Sequence, residues 1–268
     1  MVQCYHTHAM RHGYSSADLH IHTTASDGTA SPAEVLAWAS EATDLSVVAI
    51  CDHNTNEGAL EAAAIAHDYR VEVIVGQEVE SIHGHILGLW TPDIVKPGMS
   101  AQDTVNAIHA QGGLAVVAHP FAPRWWHKHG LCRGDADVYD TVDFDGVEVA
   151  NSTPLLLLAN VYARRYWQAH RHRLSATGGS DAHMLSVIGT SRTLFPGKSA
   201  ADLREAIESR QTLGGGPSFQ PLRALRYALK VPEIKERDAE RKRRETERGI
   251  DPCTDCPNGC APGGHEGR

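Results

Sequence analysis

The pentapeptide Asp18-Leu19-His20-Ile21-His22 carries two imidazoles at alternate positions. In an extended strand, side chains two residues apart project from the same face, so His20 and His22 point to one side together with Asp18. Two imidazoles held on one rigid strand form half of a transition-metal site. A buried strand with two hydrogen-bonded histidines explains the pentapeptide equally well. The choice depends on what the rest of the chain places near this strand.

Short apolar runs alternate with helical segments along the chain, which predicts βα units, a parallel sheet and closure into a barrel. Ser31-Pro32-Ala33-Glu34 provides a helix start, with an N-cap serine, a proline at the first helical position and a glutamate three residues after the cap. A hairpin through His83-Gly84 is expected between the third and fourth strands. Strands are predicted at about 17–22, 46–51, 71–79, 85–90, 114–118, 146–150, 174–178 and 191–195, and helices at about 32–42, 58–68, 100–111, 154–170 and 200–210.

Polar residues of metal-binding type lie at the ends of these predicted strands. In parallel α/β architectures, sites assemble at the rim where the carboxyl ends of the strands meet. Histidines that merely serve the core would be scattered through strand interiors, so their placement favours one shared metal centre. His85 opens its strand, which fits an antiparallel return. The candidate ligands are His20, His22, Asp27, His53, Glu78, His85, His119, Asp181 and His183.

Nine ligands exceed the four to six that one ion takes, which indicates two or three divalent ions with at least one bridging carboxylate. A set of imidazoles and carboxylates without cysteine favours Zn²⁺, Mn²⁺ or Fe²⁺ over Mg²⁺ or Ca²⁺. Adjacent divalent ions lower the pKa of a bridging water and neutralise the oxygens of a phosphate ester under in-line attack. The predicted chemistry is therefore phosphoester hydrolysis.

The same residues, taken in order, resemble the PHP family, named for polymerase and histidinol phosphatase. The resemblance covers roughly residues 16–217 and implies a distorted (βα)₇ TIM-like barrel with a trinuclear metal centre at its C-terminal rim. The motifs that carry it are Asp18-x-His20-x-His22, Ser26-Asp27-Gly28, Asp52-His53, Glu78, His85-Ile86-Leu87-Gly88, His119-Pro120 and Gly179-Ser180-Asp181-Ala182-His183.

The resemblance also implies how the ligands divide among three ions, with Glu78 bridging. The implied sets are His20, His22, Glu78 and Asp181 for the first ion, Asp27, His53 and His183 for the second, and Glu78, His85 and His119 for the third. The attacking group is expected to be a metal-bridging hydroxide held by Glu78, Asp181 and His183. Asp27, where some members have histidine, resembles the branch that acts on nucleotides and small phosphomonoesters. That branch often inserts a domain after the His-Pro motif, but only about 25 residues separate His119-Pro120 from the next strand here.

Residues around these ligands are candidates for supporting and substrate-binding roles. Asp18 and Asp52 are expected to orient ligands, a support that metal-bound histidines commonly require. Arg124 is the candidate for binding the substrate phosphate, because a guanidinium grips phosphate oxygens through two hydrogen bonds. Glu148 and Asn151, at another strand end, are predicted to line the substrate pocket. An exposed basic loop and ordinary loop polarity are the alternatives for these three residues.

Composition sets the remaining limits. The 268 residues are 41% hydrophobic and 22% charged, with a net charge of −8, which disfavours a stable nucleic-acid complex but allows a fragment as substrate. No apolar run reaches the length of a membrane span and no signal-peptide core begins the chain, so a cytoplasmic location is expected. The predicted organisation is an N-terminal arm (1–15), a catalytic domain (16–217) and a tail (218–268). The tail contains a solvated charged helix at 231–248 and a cysteine group, Cys253, Cys256 and Cys260, for which a structural zinc and an unliganded loop both remain open.

Three functions are compatible with these residues. The leading hypothesis is hydrolysis of a small phosphomonoester, of nucleotide or sugar-phosphate type. The alternative is a phosphodiesterase or 5′-3′ exonuclease acting on short nucleic-acid ends. A non-catalytic PHP accessory module is the third hypothesis, and it is disfavoured because such a module would be expected to lose ligands, whereas every expected ligand position is filled.

Overall fold

The computed structural model describes residues 13–122, 136–216 and 221–250. Within them the chain forms nine strands and seven α-helices, which alternate along much of the sequence. The strands are β1 Tyr14–Ile21, β2 Val47–Ile50, β3 Glu72–Ser81, β4 Gly84–Leu89, β5 Leu114–Val117, β6 Gly146–Asn151, β7 Ser175–Gly179, β8 Arg192–Pro196 and β9 Leu213–Gly215. The helices are α1 Pro32–Ala42, α2 Glu57–Ile65, α3 Ala101–Ala110, α4 Ala136–Thr141, α5 Leu157–His170, α6 Ala200–Glu208 and α7 Pro221–Glu247.

All nine strands belong to one sheet, in the order β7-β6-β5-β4-β3-β2-β1-β8-β9. The β1–β2, β2–β3, β5–β6 and β6–β7 pairs are parallel, whereas β4, β8 and β9 pair with their neighbours antiparallel. Ile21 at the end of β1 forms a parallel bridge with Ala182 after β7, so the two ends of the β1–β7 sheet approach each other. The predicted α/β barrel-like fold is confirmed, with more antiparallel pairing than a regular βα repeat would give.

Local sequence signals account for several of these elements. Ser31 caps α1, with its hydroxyl accepting from the backbone N–H of Glu34 while the Glu34 carboxylate accepts from the backbone N–H of Ser31. Pro32 occupies the first turn, where its missing N–H costs no hydrogen bond. The β3–β4 hairpin has the expected antiparallel register, which pairs Glu80 with His85. The capping box and the hairpin were both predicted correctly.

The core lies on both faces of the parallel strands. Val48 and Ile50 of β2 pack under α1 and α2, whereas Val47 and Ala49 face the opposite side, in a cluster that includes Phe195 of β8. All four β2 residues are fully buried. This two-sided burial is why the parallel strands read as continuous apolar runs. In the described part of the chain, no helix is long and apolar enough to cross a membrane.

Several elements differ from the sequence prediction. β1 begins at Tyr14 rather than at 17, because its first residues pair antiparallel with β8. The glycine run at 213–215 forms β9 on the outer side of β8, although it has the composition of a linker. α7 begins at Pro221, ten residues earlier than predicted, and is not solvated on every side, since Ile234, Arg241 and Glu245 are buried.

Candidate metal centre

The nine candidate ligands come together at one rim of the sheet. They are contributed by the ends of β1, β2, β5 and β7, where parallel strands share an edge, and by the β3–β4 hairpin. Their ligand atoms fall into four overlapping groups, within each of which all the atoms lie within 4.8 Å of one another. The groups are His22, Asp27, His53 and His183; His20, His22 and Glu78; His20, His119 and Asp181; and His53, Glu78 and His85.

Glu78 lies at the centre of this cluster. Its side chain is 1% exposed, and both carboxylate oxygens are surrounded by imidazole nitrogens. Oε1 lies 2.8 Å from a nitrogen of His85 and 2.8 Å from one of His119. Oε2 lies 3.1 Å from His53, 3.3 Å from His20 and 3.4 Å from His22. A carboxylate shared by five imidazoles has the geometry of a bridging ligand.

Asp27 and Asp181 supply the second and third carboxylates. Oδ2 of Asp27 lies 3.2 Å from His183 Nε2 and 3.8 Å from His53 Nε2. Oδ1 of Asp181 lies 3.2 Å from His22 Nε2 and 3.6 Å from His183 Nδ1. Each carboxylate therefore faces at least two imidazoles, and His183 joins the two.

Several imidazole nitrogens in the cluster have no hydrogen-bond partner. Nε2 of His20, both nitrogens of His22 and Nδ1 of His53 are buried and unpartnered within the described residues. An unsatisfied buried polar atom costs about 1–3 kcal/mol, so four at one place call for an explanation. Ligands bound to a common ion at about 2.0–2.2 Å lie roughly 3 Å apart, which is close to the observed spacing between these nitrogens and the carboxylate oxygens. The donor set therefore fits divalent metal ions.

The electrostatics of the cluster favour cations. Burial by itself would raise the pKa of Asp27, Glu78 and Asp181, but the neighbouring histidines hold all three pKa values well below their usual range. Burial lowers the pKa of His53 to about 3, so this imidazole is neutral and can ligate. Burial also acts on His183, yet the charge of Asp27 raises its pKa to about 10. Ionised carboxylates that attract protons onto buried imidazoles would attract metal ions in the same way.

Two of the candidate ligands have unusual backbone conformations. Asp181 has φ of +54° and His119 has φ of +27°, in a region that residues with a Cβ rarely adopt. Such conformations cost of order 1–3 kcal/mol and persist where the surrounding structure enforces them. Their presence at two ligand positions indicates that the chain gives up folding stability to orient these side chains toward the cluster.

Glu148 and Asn151, predicted to line the substrate pocket, are both buried beneath the cluster. Oε1 of Glu148 lies 3.2 Å from His20 Nδ1, and Oε2 accepts from the backbone N–H of His119 at 2.8 Å and from the Asn151 amide at 3.0 Å. The Asn151 amide also donates to Asp181 Oδ2. These contacts support a role in orienting His20, His119 and Asp181, which we propose for both residues, and contact with substrate stays a prediction.

Asp18 and Asp52 bind backbone N–H groups and hydroxyls rather than imidazole rings. Asp18 Oδ1 accepts from the N–H of Ser180 at 2.8 Å and Oδ2 from that of Gly189 at 2.7 Å, and burial raises the pKa of this carboxyl to about 6. Asp52 accepts from the N–H and hydroxyl of Thr23 and from the hydroxyl of Ser26. Each aspartate therefore fixes a loop that carries ligands, Asp181 and His183 in one case and Asp27 in the other.

Two sequence predictions concern residues that the structure does not describe, and two residues beside the cluster were not predicted. Arg124 and the cysteines at 253, 256 and 260 lie outside the described residues. Sequence reasoning missed Thr153, whose hydroxyl donates to Asp181 Oδ2 at 3.1 Å, and Arg241, whose guanidinium contacts Glu80 beside His53. Thr153 lies two residues after Asn151, the last residue of β6, and this closeness in sequence was the available signal for it. No sequence signal indicated Arg241, because it lies in a helix of mixed charge.

Comparison with known proteins decides the family. The PHP domain matches residues 18–167, and the PHP-associated region matches residues 158–212. The chain belongs to the PHP family. The PHP match covers more than half of the chain and includes seven of the nine candidate ligands; the other two, Asp181 and His183, lie in the PHP-associated match.

Relatives of this PHP chain include an enzyme of nucleic-acid metabolism. It is 42% identical over 202 residues to a 5′-3′ exoribonuclease of Haemophilus influenzae, covering 74% of this chain and 65% of that protein. The chain thus spans just under two thirds of the exoribonuclease. It is also 35% identical over 147 residues to an uncharacterised protein of Methanocaldococcus jannaschii, covering 51% of this chain and 81% of that protein.

A solved structure supports the fold. A two-domain protein from Bacteroides vulgatus, described as containing a predicted PHP-like metal-dependent phosphoesterase, superposes with a TM-score of 0.62 at 18% identity, over 76% of this chain and 65% of that one. At this identity the likeness bears on fold alone. Membership of the PHP family makes the protein a hydrolase acting on phosphoric esters, which confirms the sequence prediction of an enzyme.

The role of Glu148 can be tested through metal affinity. We expect Glu148→Gln to weaken metal binding by about 10- to 100-fold, because an amide in place of the carboxylate removes the negative charge beside His20 Nδ1. Competition with a chromophoric chelator measures this affinity. Glu61→Gln, an exposed position on α2, is the matched control and should bind metal as the unmodified protein does. Equal affinity in the two variants would contradict the orienting role.

Proposed function

We propose that this PHP protein hydrolyses the phosphodiester bond that follows the 5′-terminal nucleotide of a short nucleic acid, releasing nucleotides one at a time in the 5′-to-3′ direction. The observation that carries the proposal is the set of five imidazoles around Glu78, flanked by Asp27 and Asp181. The similarity to an exoribonuclease supports a nucleic-acid end as the substrate. When bound, divalent ions would lower the pKa of a water and neutralise phosphate oxygens.

The burial of the cluster favours a small or terminal group. His20, His22 and Glu78 are at most 1% exposed, and even His85, the most accessible ligand, has a side chain only 14% exposed. A phosphate within an intact duplex carries bulk on both sides and would not reach these residues. A terminal nucleotide, or a small phosphorylated molecule, has one free side.

The chain's own residues have separable tasks in this proposal. We retain the three ligand sets implied by the family resemblance, and Glu78, Asp181 and His183 as the residues around the attacking water. The distances support a shared role for His85 and His119, which approach the same oxygen of Glu78. Asn151 and Thr153 bind Oδ2 of Asp181, leaving Oδ1 directed at His20 and His22.

Hydrolysis of a small phosphomonoester is the second candidate. It is favoured by Asp27, because an aspartate at this position resembles the branch that acts on nucleotides and small phosphomonoesters. The connection between β5 and β6, Val117 to Gly146, leaves little chain for the domain that this branch often inserts. The same cluster would serve both reactions, since each requires a water near a tetrahedral phosphate.

A product assay separates the two candidates. The purified protein, supplied with Mn²⁺, Zn²⁺ or Fe²⁺, is incubated with a 5′-phosphorylated RNA pentamer, a nucleoside 3′,5′-bisphosphate and a nucleoside 5′-monophosphate. We expect stepwise release of nucleotides from the 5′ end of the pentamer. Inorganic phosphate from the mononucleotides alone would support the second candidate. A metal-loaded preparation that yields neither product would contradict both, and His20→Ala provides the inactive control.

A further inference from the structure

One face of helix α7 packs against segments that carry candidate ligands. Tyr227, Ile234 and Arg241 recur every seven residues, so they lie on the same side of the helix. Arg241 Nη2 contacts Glu80 Oε1 at 2.9 Å, and Glu245 Oε1 accepts from the Asn54 amide at 3.1 Å. The helix is thereby fixed to β3 and to the loop after β2, two segments that carry ligands.

Both ends of this face lie near candidate ligands. Oε1 of Glu80, held by Arg241, is 3.7 Å from His53 Nδ1. At the other end, burial and the charges of Asp181 and Asp27 raise the pKa of the Tyr227 hydroxyl. The 14 residues from Tyr227 to Arg241 span about 21 Å of helix. Arg244 Nη2 also donates to the Ser26 carbonyl at 3.4 Å, next to Asp27, so α7 packs beside several segments that carry candidate ligands.

Arg237 lies between Tyr227 and Arg241, one turn before Arg241 on the same side of the helix. Its Nε is buried and has no hydrogen-bond partner among the described residues, while the side chain as a whole is 32% exposed. Its nearest carboxylate, Glu233 Oε1, is 3.8 Å from Nε, too far for a hydrogen bond, and Glu233 is engaged with Lys230 at 2.7 Å. By contrast, Arg241 is paired with Glu80, Asp238 and Glu245. Arg237 Nε is thus a buried donor without a hydrogen-bond partner, one helical turn from the Arg241–Glu80 contact beside His53.

We propose that Arg237 binds a phosphate of the substrate and that α7 forms one wall of the substrate pocket. A guanidinium offers paired N–H donors that match two phosphate oxygens, and it stays charged at any working pH. The inference rests on the proposed function, because it requires a phosphorylated substrate at the centre. α7 begins at Pro221, beyond the PHP and PHP-associated matches, which end at residue 212. The wall therefore lies outside the matched regions.

Steady-state kinetics and phosphate binding test Arg237 together. With the 5′-phosphorylated RNA pentamer, we expect Arg237→Ala to raise KM about tenfold or more with kcat changed less, and Arg237→Lys to recover part of the loss. Titration calorimetry of the metal-loaded protein with inorganic phosphate should show a matching loss of affinity in Arg237→Ala. Arg243→Ala, on the exposed side of the same helix, removes an equal charge and should leave both measurements unchanged.

Two results would overturn the role of Arg237, and each is distinct from failure of the proposed function. If the unmodified protein degrades the pentamer and Arg237→Ala does so with the same KM, the function stands and Arg237 does not bind substrate. If the unmodified protein degrades no phosphoester, calorimetry still decides, since equal phosphate affinity in the unmodified protein and Arg237→Ala excludes the contact. A melting temperature recorded for each variant identifies loss by unfolding, and in that case Arg237→Gln, which keeps a polar side chain but removes the charge, replaces the alanine variant.

Discussion

Glu78→Gln is expected to reduce phosphoesterase activity by about a thousandfold or more, equivalent to roughly 4 kcal/mol of transition-state stabilisation. Glutamine keeps the shape of the side chain but removes its charge and directs amide hydrogens at nitrogens that must face a cation. Glu78 contacts five imidazoles, so one substitution disturbs every part of the cluster that a bridging carboxylate would join. Activity and bound metal per chain should fall together when both are measured on the same preparation, with the metal quantified by mass spectrometry.

The control for Glu78→Gln tests whether loss of a carboxylate charge has an effect only when the carboxylate lies in the cluster. Glu205→Gln makes the same chemical change on the exposed side of α6 and should alter neither activity nor metal content. Circular dichroism should show that both variants are folded, because the core clusters beside β3 do not include Glu78. Full metal content with unchanged turnover in Glu78→Gln would refute a bridging role.

Gly179→Ala is expected to damage the site through a steric effect. A Cβ at this position would overlap the Cβ of His20 and lie 2.6 Å from Glu148 Oε1. His20 is fixed on β1 and Glu148 on β6, so neither can move without shifting a strand of the sheet. Overpacking of this kind costs about 1–3 kcal/mol, and the displacement of His20 should also lower metal affinity. Chemical denaturation and metal titration together measure the two effects.

Gly215→Ala provides the comparison for Gly179→Ala. Gly215 also lies in a strand, β9, but a Cβ there would meet no heavy atom within 4 Å. We expect the free energy of unfolding of Gly215→Ala to stay within about 0.5 kcal/mol of the unmodified protein. If Gly179→Ala were equally harmless, the close packing of β7 against His20 would be of no consequence for the site.

The sequence alone located the candidate ligands because they obey a positional rule. His53 and His119 each follow a short apolar run, and the carboxyl ends of parallel strands share an edge. The rule needs only local patterns, which the sequence displays directly. The same holds for α1, whose capping box lies within four consecutive residues.

Contacts between distant segments were not predictable in the same way. Glu148 was placed at a strand end, yet the sequence does not show that it lies across from His20, 128 positions away. The charges in α7 alternate in sign, which indicates a helix but not which side is buried. Arg241 is only 4% exposed because Glu80, from a different part of the chain, neutralises it. Pairing of this kind leaves no local signal.

The distribution of the ligands along the chain has a consequence for biosynthesis. Asp27 and His183 contact each other across 156 positions, so β1 and its histidines leave the ribosome long before their partners. At about 5–20 residues per second, the interval is roughly 8–30 s. During it, His20 and His22 are available to any divalent ion with no carboxylate from the later segments to select among them. The final composition of the centre would therefore depend on whether early-bound ions exchange as the barrel closes.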